Sequence, residues 1–541
     1  MVFNSGTGIT THVAMLDKLI EVVTSRNLTA VAVNAGGTGH AVGDIIDITA
    51  TGSTSTEVAK LEVTSVAGGV IDGIRVYRGG AYTVDPTTTT GNAQSATTGS
   101  GTSATFDLTF SAPTWTLNRR TQEAASATIG AGGSGYTVND QLTVVLNDGV
   151  SGDGYVAAVF NVDSVSGGAV TAVSVVTAGN YEEVPTNDVT VTGGTGTGAE
   201  LTVTWQDATA QESVALLEGS GSGGADEIHV GIKTYTQANG FDDAKNWAMF
   251  GATGYTASVA FQNQPGMDSN QIDSDGTLTA NDYNAVMVLK PNDSDPDIGW
   301  WIHHNGRRIV LVCKVESATT TFYFSAYLGF LAQLATQTAY PYPLAVIGGT
   351  NDQNRLWKDS TNLTGGIVET INAAASSDPT GPGFLRLADG TWYPFAAENS
   401  SSSSSRIVET EFGVYPFINR QALNLNESTV SAGSGVDWTG GANDIIPDNG
   451  VPGSAGVQLK PTPGSGDDYY WLFPPIVCRF DNSLFPTDYN VFGELDGVFF
   501  FSTGGNSVVS EDRFVLGTKR YTIFQNGNRT QAWSYFAIDE D

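Results

Sequence analysis

A mainly β, multi-domain chain is what this sequence predicts, and three observations carry that reading. Glycine is far above ordinary usage, at 65 of 541 residues, with Thr, Ser and Val abundant beside it, the composition of many short strands joined by turns. Apolar and polar residues alternate over short runs such as Ile46–Ile48 and Leu142–Val144, the period of a strand with one buried face. The third observation is an internal duplication. Ala131–Val145 (AGGSGYTVNDQLTVV) echoes Ala35–Thr49 (AGGTGHAVGDIIDIT) at an offset of 96 residues. FNVDSVSGG, ending at Gly168, answers LEVTSVAGG, ending at Gly69, at an offset of 99, and Gly179, Tyr181 and Pro185 keep that offset from Gly80, Tyr82 and Pro86. Leu201, Val203 and Trp205 then answer Phe106, Leu108 and Phe110. Order, length and alternation all recur, as in a repeat architecture.

Taken in order, the chain opens with its one clear helix. From Thr11 to Thr24, residues Val13, Leu16, Leu19, Ile20 and Val23 fall on one face, and Thr11 can cap the first turn. The first β module follows, residues 27–112, with Val70–Tyr77 returning from a Gly68-Gly69 hairpin turn. A short segment, TWTLNRR (Thr114–Arg120), separates it from the second module, residues 122–206, where Val170–Val176 returns from Gly167-Gly168. Beyond Asp226 aromatics become dense. Strands are expected at Asp226–Tyr235, Trp300–His304, Arg308–Val315, Phe322–Leu331, Gly497–Phe501, Arg513–Leu516 and Arg520–Gln525, with a hairpin around Asp389-Gly390. Tyr340–Pro343 reads as a rigid turn, while Ser400–Ser405 and the Gly/Pro/Asp/Asn-rich Ser428–Gly466 read as surface loops.

This order predicts insertion. Residues 1–26, 113–121 and 207–541 would form one discontinuous host domain, β-sandwich or barrel-like with an N-terminal helix, and the two small modules would be spliced into its loops. Closing a floppy loop of ~80 residues costs only about 4 kcal/mol, and less if the folded module holds its own ends together. A plain string of domains is the alternative.

Charge and composition exclude several classes. The formal net charge is −32, from 24 Lys and Arg against 56 Asp and Glu, so the chain repels nucleic acid and anionic membrane alike. No run approaches the length of a membrane-spanning helix, and MVFNSGTGITTH has neither the basic nor the apolar region of a signal peptide. Cys313 and Cys478 lie in apolar runs and read as buried thiols, with a single disulfide as the alternative.

No catalytic, cofactor-binding or metal-binding residue is assigned. Gly219–Gly224 is Gly-rich, but it precedes a strand and lacks the Lys of a phosphate loop, so a connector explains it better. His303 and His304 are adjacent, and on a strand they point to opposite faces and cannot chelate together. Asp273 and Asp275, and Asp293, Asp295 and Asp297, alternate as Ca²⁺ ligands can. Neither cluster completes an EF-hand, and solvated acidic loops are the better account. Chelation by EDTA is therefore expected to leave the melting temperature unchanged; a large drop restored by Ca²⁺ would make those aspartates ligands. Arg307-Arg308 reads as an ion-pair partner for the acidic excess. No carboxylate pair is selected for glycan hydrolysis, and no Gly-x-Ser-x-Gly elbow is present.

Outside the modules the chain resembles a family of virion structural proteins of tailed bacteriophages. The resemblance runs in order through THVAMLDKLIEVV, TWTLNRR, DEIHVGIKTYTQ, NGRRIVLVCKV with SAYLGFL, YPYPL, LRLADGTWYPF, VFGELDGVFFFSTGG and RFVLGTKRYTIFQNGNRT. The modules themselves resemble Gly-rich β repeats of phage particle proteins. The resemblance implies a non-enzymatic component of the tail, neck or collar. It would be made in the host cytoplasm and assembled with copies of itself and neighbouring tail, neck or capsid proteins, with the modules possible contacts for the host cell surface. The resembling motifs carry no catalytic set. A receptor-binding adhesin or tail fibre, and less so a glycan depolymerase, are the other classes.

Overall fold

The computed structural model describes residues 2–48, 50–144, 156–209, 212–221, 227–237, 244–257, 259–267, 285–290, 296–316, 321–332, 344–348, 383–386, 392–394, 414–416, 471–474, 476–480, 489–502, 509–525 and 535–540. The fold is mainly β and multi-domain, with a single α-helix among the described residues. The loops read at Tyr340–Pro343, Ser400–Ser405 and Ser428–Gly466 lie outside the described residues, as do Asp273, Asp275, Asp293 and Asp295.

The helix, α1, spans His12–Thr24, and the Thr11 hydroxyl accepts from the Ala14 amide at 3.0 Å, which supplies the expected cap. Of the five expected positions Val13, Leu16, Leu19 and Val23 are buried and Ile20 is half-buried; His12, Met15 and Val22 are buried as well. It packs into one large core with two host sheets. One sheet has five strands, ordered Trp115–Arg120, Val214–Gly219, Ile228–Gln237, Ala244–Ala252 and Ala285–Lys290. The other has seven, ordered Val2–Ile9, Ile298–Asn305, Arg308–Glu316, Thr321–Phe330, Leu344–Ile347, Gly383–Arg386 and Trp392–Pro394.

Pleat alternation makes the seven-stranded sheet the middle layer. Trp300, Ile302, Ile309, Leu311, Cys313 and Val315 point toward α1 and the five-stranded sheet. Trp301, Val310 and Val312 point the other way, toward Phe524, Phe536 and Ile538 of a C-terminal sheet. Covered on both faces, these strands read as continuous apolar runs, which is why IVLVCKV shows no alternation. Cys313 is thus a buried free thiol. The Cys478 side chain lies outside the described residues. The N-terminal strand Val2–Ile9 was not anticipated. Its two glycines and single Val-Phe pair give little pattern, and its place is set by antiparallel pairing with Ile298–Asn305, Phe3 opposite His303.

Each module holds a six-stranded sheet drawn wholly from its own stretch, and the first also holds a two-stranded pair, Thr54–Glu57 with Ala81–Val84. In the first the order is Asn27–Thr38, Thr102–Ser111, Asn92–Thr97, Ile45–Ile48, Ala59–Ala67, Val70–Arg78. In the second it is Gln122–Ser134, Thr197–Asp207, Val189–Thr192, Gln141–Val144, Val159–Ser166, Ala169–Thr177. The sheets curl into nearly closed barrels. Register shifts at Leu28/Ala30 and Val33/Ala35 in the first recur at Ala124/Ser126 and Ile129/Ala131 in the second. Such bulges bend a strand and increase its twist, which brings the first and last strands of each sheet together.

The closing contacts recur as well. Leu28 and His40 amides donate to Gly79 and Gly69 carbonyls in the first module; Ala124 and Tyr136 amides donate to Ala178 and Gly168 in the second. These are the 96- and 99-residue offsets of the sequence, now expressed as geometry. The first glycine of each GG motif is explained by the crossing. A Cβ on Gly36 would lie 2.3 Å from the Ile71 carbonyl oxygen, and one on Gly132 2.8 Å from that of Val170. Gly68 and Gly69, like Gly167 and Gly168, have positive φ, as their hairpin turn requires.

Candidate functional site

Both modules leave the host where their ends meet. Asn27 pairs with Ser111, and Gln122 pairs with Asp207. The host strands Trp115–Arg120 and Val214–Gly219 pair across the second module's point of departure, Leu117 opposite Leu217. Among the described residues, ion pairs and buried polar contacts join host and module at the two seams so formed.

At the second seam, the last residues of TWTLNRR hold the module. Arg119 is almost fully buried and reaches Glu182 of the module at 3.1 Å; it also donates to the Val259 carbonyl at 2.6 Å and to that of Ala257. Glu182 in turn accepts from the Phe261 amide at 2.8 Å. Burial pushes the Glu182 carboxyl up, against the opposing pull of that amide and of Arg119. Arg120 turns to the host, bonding Asp17 of α1 at 2.7 Å and the Ala208 carbonyl at 3.2 Å. Backbone bonds between Gln122 and Tyr181 complete the seat, and Arg26 with Tyr82 forms the equivalent pair in the first module.

At the first seam, Asn4 is buried between host and module. It bonds the Asn27 side chain at 3.1 Å, accepts from the Gly80 amide at 2.8 Å and donates to the Gly80 carbonyl at 3.2 Å. The Gly79 amide donates to the Phe3 carbonyl, which joins the module's last strand to the host's first. Lys18 of α1 reaches Glu57 of the module at 3.0 Å. On the far side, Arg520 of the C-terminal sheet donates to Glu62 at 2.8 Å and to the Val76 carbonyl at 3.2 Å. At both seams charged and polar side chains pair across host and module.

The residues singled out in the sequence fall elsewhere. His303 and His304 do point to opposite faces of their strand and are completely buried, His303 with its ring 4.6 Å from that of Phe3. Burial, with Arg308 nearby, holds His304 down to about 3 and His303 well below its usual range. Arg308 pairs with Asp496 at 2.7 Å, and Arg307 lies over the Phe330 ring. Of the acidic run, Asp297 is described and exposed. No group of three His, Cys, Asp or Glu side chains is placed to hold a metal ion among the described residues. Of Gly219–Gly224, Gly219 ends a strand beside Trp115 and residues 222–224 lie outside the described residues. Sequence reasoning missed Arg119, Arg120, Glu182 and Asn4. An adjacent basic pair at a module boundary in a chain this acidic was the available signal for the first two.

No protein-family model matches this chain, and no curated protein matches it.

An acid sensitivity follows from the buried histidines. Unfolded His304 takes up a proton near its ordinary 6.5, whereas folded His304 stays neutral down to about 3. Stability from keeping it neutral is complete above 6.5 and is lost as pH falls from there toward 3. The melting temperature is expected to fall between pH 7 and pH 4, and less steeply in His304→Leu. Equal slopes in the two proteins would contradict this assignment. Glu212 adds a second component at lower pH. Burial would raise its pKa, but hydrogen bonds from His12 and Thr234 bring it to about 2, so its contribution is present above its ordinary 4.5 and is lost below that.

Proposed function

We propose that this chain is a non-enzymatic structural protein of a tailed-phage particle. In this reading it assembles with copies of itself in the tail or neck region and carries two β modules outward from an assembling host domain. The observation that carries the reading is the way the modules are attached. Each begins and ends on neighbouring, paired strands at the host, Asn27 with Ser111 and Gln122 with Asp207, as a unit inserted at one point of the host chain does. The ordered resemblance of the host stretches to phage virion proteins agrees with it. The host also holds nine of the ten tryptophans, and large aromatics are the usual anchors of cores and interfaces.

A specific observation favours the adhesin reading as the alternative. Val42 and Val138 occupy equivalent turn apices and are 63% and 49% exposed. Turns of this kind on a rigid barrel suit contact with a host surface.

The test is co-purification. Gradient-purified particles are expected to contain the chain in fixed stoichiometry, and antibodies to the Thr137–Asp140 turn should decorate them intact. Absence from complete particles would overturn the proposal. Binding of the purified protein to whole host cells would favour the adhesin, and release of reducing sugar from host glycan would favour the depolymerase.

A further inference from the structure

A face that is docked in the first module is open in the second. In the first, Glu57 pairs with Lys18 of α1 at 3.0 Å, and Tyr77 has the guanidinium groups of Arg513 and Arg520 at 4.2 and 5.5 Å from its ring centre. Their counterparts in the second module are Val156 and Val176. A Cβ on Gly80 would meet the Glu57 carbonyl oxygen at 2.8 Å, and one on Gly179 that of Val156 at 2.9 Å. Tyr77 and Val176 stand at the same irregularity of the ladder, the register shifts at Lys60/Leu61 and Val159/Phe160. The two valines are 39% and 52% exposed, and with Val138 they are the exposed large hydrophobics of this module among the described residues. Single exposed valines are ordinary; these two stand where the other copy meets the host.

The same chain carries a matching surface. Among the described residues the host's exposed large hydrophobics are Val509, Val515 and Leu516. The last two, 55% and 59% exposed, form the end of the hairpin made by Arg513–Leu516 and Lys519–Gln525. This is the hairpin whose Arg513 and Arg520 cover Tyr77 of the first module, and Val515 stands opposite Arg520 in its ladder. The apolar tip therefore continues that contact outward. Charge agrees. Residues 122–206 contain nine Asp and Glu and no Lys or Arg, whereas residues 513–525 contain Arg513, Lys519 and Arg520 and no Asp or Glu. Arg513 and Arg520 are paired with Glu540, and Lys519 with Asp539; the Lys519 side chain, opposite Leu516, is still 54% exposed. In a chain of net charge −32, this tip is a place that an all-acidic module can approach.

We propose that the hairpin tip of one copy docks on this face of the second module of another copy, Val515 and Leu516 against Val156 and Val176. Lys519 then faces the acidic module. Asn161, Ser174 and Thr177 stand where the first module has Glu62, Arg75 and Arg78, so those positions carry no charge to be desolvated and the centre of the contact is apolar. The contact joins two different surfaces, so it links copies head to tail. It rests on the self-assembly in the reading above and is secondary to the contacts of the host domain. A chain that lacks it is still expected to enter particles.

The test is disulfide trapping with the purified full-length protein. An equimolar mixture of Val176→Cys and Leu516→Cys chains, mildly oxidised, is expected to give a linked dimer that neither chain gives alone. Both positions are exposed, so neither change disturbs a core, and the parent, whose Cys313 is buried, sets the baseline. Val138→Cys, an exposed position on the same module, reports chance collision and should link to Leu516→Cys about tenfold less or lower still. Adding Val515→Glu to the Leu516→Cys chain sets an acid against the acidic module and should cut the dimer by about tenfold. The proposal is overturned if the mixture links no more than the Val138→Cys control, as it would if another protein fills this face. It is equally overturned if either chain links to itself as readily as the mixture does, or if Val515→Glu leaves the dimer unchanged. Particle entry is not read by this experiment, so its failure and that of the particle reading are told apart by co-purification.

Discussion

Arg119→Ala is expected to destabilise the protein by about 3–5 kcal/mol, the cost of breaking a buried ion pair by removing one partner. Arg119 and Glu182 are both at least nine-tenths shielded from solvent, so little of their attraction is lost to screening. The variant leaves Glu182, already pushed up by burial, with the Phe261 amide and the nearby charge of Lys233. It also frees the carbonyls of Val259 and Ala257. Urea unfolding of Arg119→Ala, Glu182→Ala and the double variant would measure the effect. The double variant should be less damaged than the sum of the singles, because it leaves no buried charge alone. A loss below about 1 kcal/mol would place the pair with ordinary exposed salt bridges, and the second module would then be held mainly by its backbone contacts.

The second large effect is expected in the host core. Trp247 is fully buried between α1 and the two host sheets, and its indole N–H donates to the His12 carbonyl at 2.9 Å. Trp247→Ala should cost about 3–5 kcal/mol from lost burial and the cavity left behind. Trp115, which is also buried and donates to the Asn305 carbonyl, ties the inter-module segment to the same core. Circular dichroism and intrinsic fluorescence on heating should show the host transition moving down. If the barrels fold on their own cores, their transition should move less. A single unchanged transition would contradict the assignment of this core to the host.

Much of the fold was legible because the relevant signals are local or repeated. The helix cap at Thr11, the strand alternation and the Gly-Gly turns all act over a few residues. The duplication carried further. Bulges, closing hydrogen bonds and hairpins recur at the sequence offsets, and so does an edge-on aromatic pair, Tyr82 with Phe110 and Tyr181 with Trp205. One equivalence is broken in a way sequence could not interpret. The Tyr136 hydroxyl accepts from the Ala199 amide at 3.4 Å, whereas His40 in the same place is buried 3.8 Å from Asp44, too far for a hydrogen bond.

The seams were not legible, because their partners lie far apart along the chain. Arg119 finds Glu182 63 residues on, and Arg520 finds Glu62 across 458 residues. No periodicity encodes such a pairing. The strand Val2–Ile9 was missed for the same reason, since its neighbour begins at Ile298.

If the host is the assembling body, the modules are insertions it can lose. The most direct measurement is replacement of residues 27–112 and 122–206 by short Gly/Ser linkers, followed by unfolding and particle-incorporation assays. Short linkers suffice because each module's ends lie on paired neighbouring strands. The host also retains partners for the groups the modules leave behind: Glu540 for Arg520, and the Val259 and Ala257 carbonyls for Arg119. A soluble protein is expected, lowered in stability by the lost Glu182 and Glu62 contacts, that unfolds cooperatively and still enters particles. A double replacement that is unfolded, or that is folded but missing from otherwise complete particles, would contradict it and make the modules part of the core or of the assembly interface.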